Sequence, residues 1–104
     1  MDGEVLALKA HESDNVATVF ADGVVDGAVV AVLDPAGSRV EVRVIGDIPY
    51  GHKLALCDIA VGSQITKYGE EIGVASQNIQ LGEYVHVHNL DSMRGRGDLE
   101  VRDA

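Results

Sequence analysis

At 104 residues the chain is long enough for one domain with one modest core. Hydrophobic residues make up 46%, but tryptophan is absent and Phe20 is the single phenylalanine, so the core falls to Val, Ile, Leu and Ala, a composition that favours strands. Seventeen acidic against eight basic residues leave a net charge of −9, which argues against a phosphate-neutralising nucleic-acid surface and against anchoring to an anionic membrane. A solvated acidic surface is the plain reading of that charge. A high-salt interior, where self-repulsion is screened, is the sharper one.

The first predicted strand is Val5–Lys9, followed by a polar loop in which His11 is expected to be exposed. Val16–Phe20 reads as a second strand, closed by an Ala21-Asp22-Gly23 turn. The apolar run Val24–Leu33 is broken at Gly27 and rich in β-branched residues, so strands fit it better than a helix. Asp34-Pro35-Ala36-Gly37 has turn chemistry: proline presets φ and glycine accepts a positive one. Val40–Val44 alternates valine with Glu41 and Arg43, so the sequence predicts a hairpin of Val29–Leu33 with Val40–Val44.

Short strands are expected at Leu54–Leu56, Ile65–Tyr68 and Glu70–Ala75, with a turn at Gly69, and a last one at Tyr84–His88. Cys57, the single cysteine, falls where strand is predicted and is expected to be buried and inert; one thiol cannot make an intrachain disulfide framework. From Asp91 onward the chain is polar and glycine-rich and reads as a flexible tail over 91–104. Residues 1–104 are thus expected to form one all-β domain of short strands, a small barrel or clip. With no leader pattern at Met1–Glu4 and no apolar run near the roughly 20 residues of a membrane span, the expected location is the cytoplasm.

One local pattern occurs in three copies: Asp or Asn, Ile, two residues, Gly, two residues, an aliphatic. They are Asp47–Leu54, Asp58–Ile65 and Asn78–Val85. Each reads as a tight turn feeding a strand, with the Asp or Asn side chain expected to bond its own turn and the glycine taking positive φ.

Two sets of residues carry candidate chemistry. In His86-Val87-His88 the strand period places both imidazoles on one face, a geometry that can share a divalent metal if a third ligand is brought from elsewhere. His52, just after Gly51, is the candidate for that third ligand or for a substrate contact. Lys53, Lys67 and Tyr68 form the second set: an ammonium suits a carboxylate and a phenol can orient hydroxyls. Glu70 and Glu71 point to opposite faces of a strand and read as solvated surface.

The order of Ile48–Leu56, Asp58–Gly62, Lys67–Gly73 and Val85–Asn89 resembles the SAF domain of the altronate and galactarate dehydratases, a β-clip; the likeness is close over Asp47–Asp98 and looser before it. It implies the small subunit or N-terminal domain of a sugar-acid hydro-lyase, with His52, Lys53, Lys67 and Tyr68 toward substrate and His86 and His88 toward a metal. The implied cofactor is a divalent ion such as ferrous iron, held together with a large catalytic subunit, and the implied partners are that subunit and the sugar acid. Because residue 104 falls short of a second domain, the large domain is expected on another polypeptide, with this chain inactive alone. The alternatives are the small subunit of a sulfolactate sulfo-lyase, a non-catalytic β module binding an anionic sugar or a metal, or a structural domain; self-association stays open.

Overall fold

A computed structural model describes residues 5–92, and among these no helix forms. Within the described residues, nine strands build two sheets. The larger has the order β4-β3-β1-β2-β5-β8, where β1 is Val5–Leu8, β2 Val16–Val19, β3 Val29–Leu33, β4 Arg39–Arg43, β5 Lys53–Ala55 and β8 Tyr84–Val85. The smaller has the order β6-β7-β9, with β6 Gln64–Lys67, β7 Glu70–Ala75 and β9 Leu90–Ser92. Pairing is antiparallel except between β1 and β3.

The expected hairpin is present, with Val29 opposite Arg43 and Leu33 opposite Arg39. Asp34 builds its turn by accepting the backbone N–H groups of Ala36 and Ser38, as a short acidic side chain does in an Asx-type turn. Val42 and Val44 face the core, but Val40 is 57% exposed because β4 is the sheet edge and its tip runs past the core.

The three-copy pattern is the frame of the domain. In every copy the isoleucine is buried, as Ile48, Ile59 and Ile79. In every copy a β-turn closes behind it: His52 N–H donates to Pro49 O, Ser63 N–H to Ala60 O and Glu83 N–H to Gln80 O. The turn glycines Gly51, Gly62 and Gly82 hold φ of 84°, 86° and 89°, the left-handed region a type II turn requires. The expectation that each Asp or Asn bonds its own turn is corrected. Asp58 accepts the N–H of Leu81 and Asn78 accepts that of Val61, so the second and third copies cap each other. Ile59 and Ile79 exchange both backbone bonds at 2.8 Å between them. Asp47 likewise accepts across the chain, from the N–H of Asp26. Paired turns satisfy one another because an antiparallel bridge places each carboxylate or amide beside its neighbour's unpaired N–H.

The core lies in two clusters. One gathers Ala7, Val19, Val30, Val32, Val44, Ile48 and Leu54; the other gathers Val16, Ile59, Ile65, Ile79 and Val85 under the smaller sheet.

Three further expectations are corrected. Cys57 is exposed, because β5 ends at Ala55 and Cys57 falls in the bend leading to Ile59. The strand expected over Tyr84–His88 stops at Val85, and His86–Asn89 is a turn. Asp91 and Ser92, placed in the tail, belong to β9 and pair with Val74 and Gly73; the rest of the expected tail, 93–104, lies outside the described residues.

Candidate functional site

The turn at 86–89 is built around Asn89, whose side chain is fully buried. Its Oδ1 accepts the N–H of His86 at 3.0 Å and its Nδ2 donates to the Tyr84 carbonyl at 3.0 Å, while its own N–H donates to His86 O. A buried amide satisfied on both ends specifies one backbone path. That path departs from the strand immediately after Val85, so the two histidines do not owe their placement to strand alternation.

They nevertheless come together, around Tyr84. The His86 ring stacks on Tyr84 at 5.9 Å between centroids with 9° between planes, and His88 lies 5.2 Å from the same ring. His52 arrives from the first repeat copy, edge-on to His86 at 4.6 Å and to Tyr84 at 5.6 Å. The β5–β8 pairing brings them together, setting Lys53 opposite Val85 and Leu54 opposite Tyr84. His52 Nδ1 is 3.2 Å from the Tyr50 carbonyl, which only accepts, so Nδ1–H is the donor of that bond.

Lys53 is half-buried, and burial followed by the Lys67 ammonium lowers its pKa below the ordinary lysine value. The pKa of His86 is lowered too, by burial first and then by the charges of His52, Lys53 and His88. No carboxylate is among the groups that shift either residue. Lys67 ends β6, with its Nζ 5.0 Å from the centre of the Tyr68 ring, and Tyr68 is 67% exposed. The structure brings His52, His86 and His88 together around Tyr84, with Lys53 opposite Val85 in the neighbouring strand pair; Lys67 is tied to them by the effect of its charge on the Lys53 ammonium.

A low imidazole pKa keeps His86 neutral, the form that accepts a proton or ligates a metal. Among the described residues, however, no group of three His, Cys, Asp or Glu side chains is arranged to hold a metal ion. His52 and His86 meet edge to face, with 80° between their ring planes.

Two members of the site were not legible as such in the sequence. In the sequence Tyr84 reads as an ordinary strand residue; in the structure it is the ring the histidines pack on. Asn89 is the brace beneath them; its one sequence signal is an asparagine closing a His-x-His stretch, a residue type that favours turns.

The pKa shift has a testable sign. In the folded chain His86 releases its proton at lower pH than in the unfolded chain, so the stability it contributes is present above about 6.5 and lost as pH falls through its lowered midpoint. Histidine titration by NMR is expected to give His86 a midpoint below that of a free imidazole, and Lys53→Met is expected to raise it. A midpoint unmoved by Lys53→Met would contradict the assignment of the lysine charge as a cause.

Fold and face define an all-β module that gathers His52, His86 and His88 around Tyr84. The family description of the altronate/galactarate dehydratase SAF domain matches residues 5–93. Altronate dehydratase of Escherichia coli (strain K12) is 42% identical over 100 residues, covering 89% of this chain and 19% of that protein. The galactarate dehydratase (L-threo-forming) of the same organism is 37% identical over 78 residues, 75% of this chain and 14% of that protein. The (2R)-sulfolactate sulfo-lyase subunit alpha of Chromohalobacter salexigens is 38% identical over 87 residues, 81% of this chain and 92% of that subunit. The chain belongs to the altronate/galactarate dehydratase SAF domain family and is related to lyases. It spans about a fifth of the length of the altronate dehydratase it matches.

Proposed function

We propose that this chain is the small subunit of a sugar-acid hydro-lyase, forming one wall of an anionic-substrate site that a larger catalytic subunit completes. The observation that carries the reading is the charge environment of Lys53 and His86: their shifting neighbours are all cationic, in a chain whose net charge is −9. Basic groups held close together repel one another, and a bound anion offsets that cost. Support for a separate small subunit comes from the match over 92% of a sulfo-lyase subunit alpha.

In the dehydration, a base removes the proton α to the carboxylate and the β-hydroxyl leaves as water; the enol then tautomerises to a 2-keto-3-deoxy acid. Lys53 and Lys67 hold the substrate carboxylate and stabilise the charge that develops on it. The Tyr68 hydroxyl orients the sugar hydroxyls, and His52 Nε2 or neutral His86 accepts a proton from the substrate or a bound water. A divalent ion such as ferrous iron would supply Lewis-acid stabilisation of the enediolate. His86 and His88 would donate to it only alongside ligands from the larger subunit.

Co-expression with a large chain resembling the remainder of altronate dehydratase tests the reading, with altronate and galactarate screened for 2-keto-acid formation. Turnover is expected only when both chains are present. A large chain equally active without this one would refute it. The likeness to the sulfo-lyase subunit supports a second reading, in which sulfite leaves instead of water, so sulfolactate belongs in the screen with sulfite release as its readout.

A further inference from the structure

Asp14 is a buried acidic residue in a chain that otherwise keeps its carboxylates near water; among the described residues it is the only charged side chain classed as buried. Its carboxylate accepts backbone N–H groups: those of His11 and Tyr68 on Oδ2, each at 3.0 Å, and that of Gly69 on Oδ1 at 2.9 Å. Tyr68 and Gly69 are the central residues of the β6–β7 hairpin, whose last pair is Lys67 with Glu70. Both have positive φ, 58° and 75°, the geometry of a type I′ turn. That turn favours Asn-Gly, because asparagine tolerates the left-handed region and a bulky aromatic does not. Tyr68 is the only non-glycine residue with positive φ among the described residues. A left-handed tyrosine is strained and persists only when its surroundings hold it there. What holds it is a carboxylate 54 residues earlier in the chain. Asn15 extends the grip, accepting the N–H of Thr66 at 2.8 Å and donating to Gln64 O at 2.9 Å. The His11 ring closes the other side, 3.0–3.1 Å from where a Cβ on Gly69 would lie.

We propose that Asp14 is a positioning residue for anion binding: it clamps the Tyr68-Gly69 turn so that the Tyr68 ring and the Lys67 ammonium beside it face the ligand. The ligand role rests on the anion-site reading above; the clamp does not. A turn needed only to connect β6 to β7 would be served better by Asn or Gly at position 68, with no buried carboxylate. The strained tyrosine makes sense where its ring and hydroxyl are needed at that point, exposed and beside a lysine.

The test uses the full chain, with galactarate as the probe. In Asp14→Asn one carboxylate oxygen becomes an N–H₂ group, which cannot accept. Amide hydrogen exchange at Tyr68 and Gly69 is expected to speed up by about tenfold or more, while the β3–β4 hairpin amides keep their rates. Galactarate affinity, followed by NMR titration, is expected to fall about fivefold in Asp14→Asn, yet less than about twofold when the same change is made on Tyr68→Gly. A merely structural aspartate would cost the same in both backgrounds. Equal losses, or unchanged exchange at Tyr68 and Gly69, would overturn the proposal. If the wild-type chain shows no galactarate shift at Lys67 or Tyr68 either alone or in complex with the large chain, the anion-site reading falls and takes the ligand role with it, while the exchange data still report the clamp separately. Should Asp14→Asn fail to fold, Tyr68→Gly is expected to restore folding, because glycine adopts the turn unaided; failure to restore it would also overturn the clamp.

Discussion

Gly82→Ala is expected to cost the domain about 4 kcal/mol or more, a large share of the stability of a domain this size. A Cβ at Gly82 would collide with the backbone carbonyl oxygen of Arg43, and Val42 is packed behind it. Neither can move cheaply: Val42 is buried, and Gly82 itself is tied on both sides, donating to Ala55 O and accepting from Ile45 N–H. The repeat supplies its own control. Gly62 holds the equivalent turn position with nearly the same φ, 86° against 89°, but nothing lies within 4 Å of its would-be Cβ. Gly62→Ala therefore carries only the left-handed penalty, about 1–2 kcal/mol. Urea unfolding of the two variants followed by circular dichroism separates steric from conformational cost. Equal losses would show that the close approach at Gly82 does not matter.

The second large effect is expected in function. In the proposed two-chain enzyme, His86→Ala is expected to lower turnover or ligand affinity about 100-fold, the scale of a lost acid–base group or metal ligand. Thermal stability is expected to stay within about 1 kcal/mol, because the ring is only partly buried and the Asn89 brace bonds its backbone, not its imidazole. His88→Ala is the milder partner, since His88 is exposed and contacts only the Tyr84 ring among the imidazoles and phenols of the site. Because the working form of His86 is neutral and its pKa is lowered, the pH–rate profile is expected to hold below the usual imidazole range before it falls on the acid side. Replacing Lys53 with Met is expected to move that acid limb to higher pH. Unchanged turnover in both His86→Ala and His88→Ala would return the pair to surface decoration.

Much of this was legible in the sequence because strands and turns are written locally. Valine-rich alternation around Asp34-Pro35-Ala36-Gly37 sufficed for the β3–β4 hairpin, and the Gly of each repeat marked a turn that exists. His52, expected beside His86 and His88, does lie against His86, but the His86–His88 placement has a different cause from the one the sequence suggests. Alternation along a strand predicted one face; the strand ends at Val85, and a turn on Asn89 curls both rings toward Tyr84. A buried amide can terminate a strand wherever it satisfies two backbone groups, and its burial is a tertiary fact.

The sequence by itself determined the all-β class, the hairpin, the turn positions and the identity of the cationic and imidazole groups, because each depends on φ preferences and side-chain period over a few residues. Only the tertiary structure decided the rest. It set Asp58 against the turn of Asn78 and the reverse, exposed Cys57, brought His52 to His86 across β5–β8, and placed Asp14 behind Tyr68. Each of those depends on bringing together groups far apart along the chain, and a hydrogen bond across 54 residues leaves no periodic trace in the sequence.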